Sequence, residues 1–413
     1  MLARSSSLPL GSLLAGCRCR GFCARPLPTP RASSCRRFGS GKLRPLSAVT
    51  GSLPMWYVEG LRGTSHSRLS YPDGSELQEV VNQVGDLNTR RCFITEPRVA
   101  HSITEALQIN EGDEAVVFDC SAGPGILTRA LLNSGANRVV VLERDKLFLP
   151  PLQELEESAE GRMNLFHCDV FKLDTHDGLL RPPFMSSKQL QVQLGLKECS
   201  WNDEIPIRLV GILPLRNPRT ILWRLIYAAF QGISVFRFGR VELNLFISER
   251  ELQKIRSSPG GKNYSSLSIL WQIMSDITVI YQESLTSVVT CSNKALKTDF
   301  FSNHQVQAGE KLCLMQLNPR REITSVLNYH SMDRFMAMIN HCLSRRRKKL
   351  EDILNLWNPG SGALVMAQLG LSPEVTSGAV SPRDYLRLFE IIELSEGFRS
   401  SWLYTESMDK VIY

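Results

Sequence analysis

The chain has 413 residues, enough for two domains, and its apolar share of 43% and charged share of 22% are those of an ordinary globular protein. After the N-terminal leader no stretch approaches the ~20 apolar residues of a membrane span, which excludes a helical membrane protein. The formal charge of +7 is uneven: residues 1–58 hold nine basic side chains and no acid, leaving 39 basic and 41 acidic residues beyond them.

Residues 1–58 are rich in Arg, Ser, Leu and Ala, the composition of a mitochondrial transit peptide. Leu8–Gly16 after Arg4 also reads as a short secretory signal, and Leu14-Ala15-Gly16-Cys17 as a lipoprotein cleavage box. Either signal should give way to ordinary sequence near Cys17. The acid-free bias instead runs on to Glu59, so mitochondrial targeting is the prediction. Residues 59–89 are polar and turn-rich and are expected to be loose. Seven cysteines lie beyond the leader with no Cys-x-x-Cys pair, so neither a disulfide framework nor a metal site is expected.

The first clear element is a helix begun by Pro97, with Val99, Ile103, Ala106 and Leu107 on one face. The most informative stretch follows, Val116–Asp145. Val116–Phe118 is an apolar run of the kind buried in a parallel sheet. Gly123 and Gly125 allow a sharp turn and close approach of a ligand. A helix over Ile126–Asn133 turns its N-terminus to that loop. A second run, Val139–Leu142, ends in Glu143, placed to meet ribose hydroxyls. An NAD site would carry a third glycine where Thr128 stands, so Asp119-x-x-x-Gly123-x-Gly125 sits closer to a methyltransferase. A βαβ turn without ligand is the plain alternative.

Further along, Leu165–Asp169 is a strand ending in an acid, and Thr175–Asp203 a long polar insertion read as an ordered loop. Ile207–Leu213 and Val241–Ser248 are strands around an apolar helix, Thr220–Gln231. Glu249–Arg256 and Leu267–Ser275 are helices flanking a Pro259-Gly260-Gly261 turn. Ile277–Gln282 and Lys311–Leu317 alternate like antiparallel strands. From about Thr324 the period is helical to the end, with Leu386, Phe389, Ile392 and Leu394 expected in its core, a partner-facing surface being the alternative. Residues 291–350 carry eleven basic and four acidic side chains. Their peak, Arg345-Arg346-Arg347-Lys348-Lys349, suits contact with a phosphate backbone, and Arg320-Arg321 could extend it. The plain alternative is a solvated helix end.

From about Arg91 to Arg320 the chain resembles the rRNA adenine N6-dimethyltransferases. Cys92-Phe93-Ile94-Thr95 stands at that family's Asn-Phe-Leu entry segment, Asp119–Thr128 at its cofactor loop, and Glu143 and Asp169 at the acids for ribose and adenine amino group. Pro259–Gln272, PGGKNYSSLSILWQ, is the most specific match. The resemblance implies an α/β fold: a Rossmann-like class I methyltransferase sheet over residues 90–320, then a small α-helical C-terminal domain over 321–413. It also implies S-adenosyl-L-methionine as cofactor, lined by Ile94, Gly123, Gly125, Glu143 and Asp169.

The departures fall elsewhere. The family's catalytic Asn-Leu-Pro-Tyr loop reads Ile212-Leu213-Pro214-Leu215 here, without the acceptor amide or the stacking ring. The downstream Phe-x-Pro-x-Pro clamp is missing from Gln282–Val288, Ser121 replaces the first loop glycine, and Cys168 replaces a glycine before Asp169. A transit peptide, an eroded adenine pocket and a basic C-terminal patch together are similar to a mitochondrial branch of the family that serves transcription initiation. That branch implies the single-subunit mitochondrial RNA polymerase, melted promoter DNA and the mitochondrial high-mobility-group transcription factor as partners, in the matrix nucleoid. Two other readings stay open: dimethylation of adjacent adenines in mitochondrial small-subunit rRNA, and an inactive ribosome-assembly RNA binder.

Overall fold

In the computed structural model the described residues are 67–75, 77, 79 and 92–401, less residues 111, 176–180, 215, 216, 285–310, 324–326 and 328. The expectations for the leader, for most of 59–89, for Leu215 and for the region after Ser284 up to Val288 fall outside them.

The chain runs through α1 (Pro97–Ala106), β1 (Val116–Cys120), α2 (Ile126–Asn133), β2 (Val139–Glu143), α3 (Leu149–Ser158) and β3 (Met163–His167). It continues with α4 (Ser187–Leu194), β4 (Ile207–Ile212), α5 (Pro218–Gln231), β5 (Val241–Ser248), α6 (Glu249–Ile255), α7 (Ser266–Met274), β6 (Ser275–Ser284) and β7 (Lys311–Pro319). Helices α8 (Tyr329–Ser344), α9 (Leu350–Trp357), α10 (Gly362–Leu369), α11 (Pro382–Leu394) and α12 (Glu396–Arg399) follow.

The strands form one seven-stranded sheet in the order β3-β2-β1-β4-β5-β7-β6. β1 to β5 are parallel, and β7 runs antiparallel between β5 and β6. All five residues of β1 and of β2 are buried, as expected of strands covered on both faces. Alternate side chains feed two apolar clusters. Phe118, Leu209, Leu243 and Met315 face one; Val117, Val141, Val210 and Leu314 face the other. Phe93, Ile103, Leu131, Phe148 and Leu152 fill the second cluster from α1, α2, α3 and the segments before them.

The first cluster joins the sheet to the C-terminal helices without interruption. Trp271 of α7 is fully buried in it, with Phe335 of α8, Ile353 of α9, Met366 of α10 and Leu388 of α11. Phe335 and Phe389 meet edge to face at 5.1 Å. The expected core quartet of α11 divides: Phe389 and Ile392 are buried and Leu386 half-buried, whereas Leu394 is 84% exposed. Leu394 ends its helix, where the chain turns at Ser395, so the apolar stripe has no neighbour left to cover it.

A second difference lies in Thr175–Asp203, read as a loop. It contains α4, whose start carries a full capping box between Ser186 and Gln189. Only Ser187, Leu190 and Leu194 of that helix are buried, too few apolar positions to reveal it by periodicity.

Candidate functional site

In a parallel sheet a ligand crevice opens outside the carboxyl ends of the strands where the order reverses. Here that point lies between β1 and β4. A shallow open cleft sits there, lined among others by Ile94, Ser121, Leu127, Gly211, Ile212 and Phe246. Cys120, Ser121 and Ala122, at the start of the loop after β1, close one side; Gly123, Gly125, Glu143 and Asp169 are not among the cleft's lining residues. Gly123 and Gly125 have φ of +59° and +76°, the left-handed region that glycine adopts without penalty. A Cβ on Gly123 would lie 2.8 Å from Phe93 Cβ, and one on Gly125 2.9 Å from Leu152 Cδ2, so neither position has room for a side chain. Ser121 also takes a positive φ, +69°. It keeps the backbone of the family's glycine at a cost of roughly 1–2 kcal/mol.

The loop is fixed from below by carboxylates. Thr128 Oγ1 donates to Asp119 Oδ2 at 2.6 Å in a fully buried contact. The residue at the third-glycine position therefore supplies a hydrogen bond that anchors α2 to β1. Glu143, at the end of β2, has no exposed surface. Its Oε2 accepts from Gly123 N–H at 3.0 Å and its Oε1 from Asp145 N–H at 2.7 Å. Thus two of the predicted residues, 20 positions apart, are bonded directly.

Asp169 follows β3 and is 7% exposed. Arg144 Nη1 and Lys172 Nζ stand 3.6 and 3.8 Å from its Oδ2. Lys172 also lies 5.4 Å from the Phe184 ring centre. Neither cation was singled out in the sequence, because each is placed only by the turns after β2 and β3. The neighbouring thiols are inert: burial pushes Cys168 up to about 12 and raises Cys120 well above its ordinary value, so both stay protonated at neutral pH. Among the described residues no cluster of His, Cys, Asp and Glu could hold a metal ion.

The β4 side of the cleft has a different character. Ile212 is the last residue of the strand and faces the cleft half-buried; Leu213 is buried, its N–H donating to Phe246 O at 3.0 Å; Pro214 is exposed. The loop keeps the backbone course of a strand end while its first side chain offers no acceptor.

The basic run follows α8 as a turn. Arg345, Arg347, Lys348 and Lys349 are exposed. Lys349 Nζ meets Glu374 Oε1 at 2.7 Å, and Arg346 donates to the carbonyls of Gly261 and Lys262. Arg320 and Arg321 are engaged apart from the run, with Asp276 at 2.8 Å and Glu204 at 2.6 Å.

Known proteins give this geometry a family. The sequence model described as "Ribosomal RNA adenine dimethylase" matches residues 89–394, taking in the C-terminal helices as well as the sheet. A relative from Bos taurus, "Dimethyladenosine transferase 2, mitochondrial", is 37% identical over 323 residues, spanning 78% of this chain and 81% of its own length. The protein of the same name from Homo sapiens is 34% identical over 325 residues, 77% of this chain and 81% of that one. A solved dimethyladenosine transferase from Plasmodium falciparum is 16% identical, covers 73% of this chain and 97% of its own, and superposes with a TM-score of 0.49. By sequence, the chain belongs to the ribosomal RNA adenine dimethylase family, whose methyl donor is S-adenosyl-L-methionine.

Proposed function

We propose that the chain is a mitochondrial nucleic-acid-binding factor on an S-adenosylmethionine-binding scaffold, which helps the single-subunit mitochondrial RNA polymerase open promoter DNA. The observation that carries this is the contrast across one cleft. The loop bordering it after β1 keeps a glycine bonded to a buried acid, and the strand on the other side ends in Ile212. Support for the compartment comes from the acid-free, Arg-rich leader and from the mitochondrial names of the relatives.

The residues fit the cofactor. Gly123 and Gly125 keep the loop free of side chains where a Cβ would collide, and Ile94 and Leu127 supply apolar wall. Glu143 offers acceptors suited to a ribose diol, and Asp169 one suited to an adenine amino group. When bound, S-adenosylmethionine supplies an activated methyl group. To transfer it to an adenine amine the protein must hold that amine in line, since positioning supplies most of the catalysis. The Ile212 side chain accepts no hydrogen bond from an amine, which argues against efficient transfer. For promoter opening, the basic turn after α8 contributes salt-dependent contact to phosphates; Arg345, which is exposed, and Arg346, which is half-buried, are the first candidates for exchange. The polymerase, promoter DNA and the mitochondrial high-mobility-group factor are the partners this reading requires.

Transcription from a mitochondrial promoter with the matching polymerase tests it. Duplex template should depend on the chain and a pre-melted bubble much less; equal indifference of both templates overturns the proposal. A second reading, dimethylation of adjacent adenines in small-subunit rRNA, draws on the intact loop after β1. It predicts methyl incorporation into the rRNA hairpin by the isolated protein.

A further inference from the structure

The turn after α8 is not a free-standing loop. Arg346 Nη2 donates to Gly261 O at 2.6 Å and its Nη1 to Lys262 O at 3.0 Å, across 85 and 84 residues of sequence. Gly260 N–H donates to Gly378 O at 2.8 Å, and Gly378 N–H to Arg346 O at 2.9 Å. Ser377 Oγ donates to the carbonyls of Cys342 and Arg345 at 2.8 and 3.2 Å. Three backbone segments thus lock into one junction. It is tight: a Cβ on Gly378 would lie 2.8 Å from Arg346 O, and one on Gly261 2.9 Å from Ser258 O.

The outward side of this junction is cationic. Lys262, Arg345, Arg347 and Lys348 are exposed, and none forms an ion pair with a carboxylate among the described residues; Lys349 differs, being paired with Glu374. Between them stand Ser258, Pro259, Asn263 and Ser344, all exposed. None of the large exposed apolar side chains of the described residues, such as Leu356, Leu364 and Leu394, belongs to these segments. A membrane-surface site would carry such side chains for insertion among the cations. A polar face of unpaired cations fits phosphates in water.

We propose that Lys262 and the turn Arg345–Lys348 form a single phosphate-binding face for a nucleic-acid backbone, and that Arg346 is its positioning residue. Lys262 supplies a cation from the Pro259-Gly260-Gly261 loop, which the sequence had marked only as a family signature. Arg346 commits its guanidinium to two carbonyls and fixes the spacing of the cations on either side. This rests on the nucleic-acid-binding reading above and gives that reading its surface.

The test is fluorescence anisotropy of a fluorescein-labelled single-stranded oligodeoxynucleotide, titrated with the full chain over a series of salt concentrations. The leader contributes equally to every variant, so slopes are compared with wild type. Lys262→Gln and Arg347→Gln should each lower the slope of log K against log salt by about 0.7, the loss of one phosphate contact on a single strand. Arg346→Lys, which keeps the charge but not the two-pronged donation, should weaken binding as much as Arg346→Gln. A merely electrostatic residue would be rescued by lysine, and that rescue would refute the positioning role. If Lys262→Gln leaves the slope unchanged while Arg347→Gln lowers it, the shared face is wrong and the nucleic-acid reading stands. If wild type shows no salt-dependent binding, that reading itself fails. Binding to phosphatidylcholine–cardiolipin vesicles but not to the oligonucleotide would overturn the proposal in favour of a lipid surface. Melting temperatures of the Lys262 and Arg347 variants should match wild type, since both side chains are exposed.

Discussion

The loops after β1 and after β4 border one cleft and have opposite chemistry. After β1, every feature is polar and constrained: two glycines in left-handed geometry, a buried Thr128–Asp119 bond and a fully buried Glu143 bonded to the loop it faces. After β4, Ile212 and Leu213 are apolar, and the held group is a backbone N–H, that of Leu213. Both loops border the switch point, so their difference lies in their side chains rather than in where the fold puts them. A nucleotide-type ligand needs fixed donors and acceptors, and the loop after β1 retains them. An amine substrate needs an acceptor, and the side chain at the end of β4, Ile212, is not one.

The strongest test of that contrast removes the carboxylate that holds the first loop. Glu143→Ala leaves the N–H groups of Gly123 and Asp145 without their acceptor. The buried Gly123 orphan costs about 1–3 kcal/mol and the part-buried Asp145 one less, so unfolding free energy in urea should fall by roughly 2–4 kcal/mol. Calorimetric heat with S-adenosylmethionine should vanish in the same variant. Retained heat would mean that the cofactor does not use this loop.

Next in size is Gly123→Ala. The added Cβ combines a positive φ with a 2.8 Å approach to Phe93 Cβ, and should cost about 1–3 kcal/mol. Phe93→Ala does not relieve this approach, because alanine keeps its Cβ, but Phe93→Gly does. In a double-mutant cycle with Phe93→Gly the penalty should shrink to the backbone part alone, and an additive cycle would assign the whole cost to φ.

How much of this was legible differs between the two sides for physical reasons. Strand, glycine turn, helix and acid from Val116 to Glu143 were readable because burial on both faces imposes continuous apolar runs, and the loop needs glycine at fixed places. That β6 and β7 are antiparallel strands was readable from alternation, though not that they pair with each other. Helix α4 was not, since its one strong signal was the Ser186–Gln189 capping box within a polar stretch. Leu394 misled because the helical period says which face a residue occupies but not whether a neighbour covers it. Arg346 and Lys172 act through groups that only the tertiary fold brings near, and a run of cations looks the same whether its members face solvent or carbonyls.

A smaller effect should come from Ser121→Gly. At φ +69° serine bears strain that glycine does not, so the variant should gain about 1 kcal/mol of stability, read as a higher urea midpoint at unchanged slope. Part of the gain is offset by the greater freedom of glycine in the unfolded chain. A loss instead would mean that the serine side chain contributes more than its backbone costs, and the loop after β1 would be less purely a backbone device.

The smallest expected change is at Ile212. Ile212→Asn places an acceptor amide where the family has one, on a half-buried residue at the strand end, so folding should tolerate it. If the two loops act independently, affinity for S-adenosylmethionine should stay within about threefold of wild type, under ~0.7 kcal/mol. Methyl transfer to an rRNA hairpin should not appear, because Leu215 still offers no ring for a flipped base, and such stacking contributes roughly 1–3 kcal/mol. Ile212→Asn with Leu215→Tyr then becomes the sharper comparison. Transfer that appears only in the double variant would locate the barrier to methylation in this loop alone. Its absence there would place further losses beyond the loop, and would fit a scaffold whose present work is to hold nucleic acid and not to modify it.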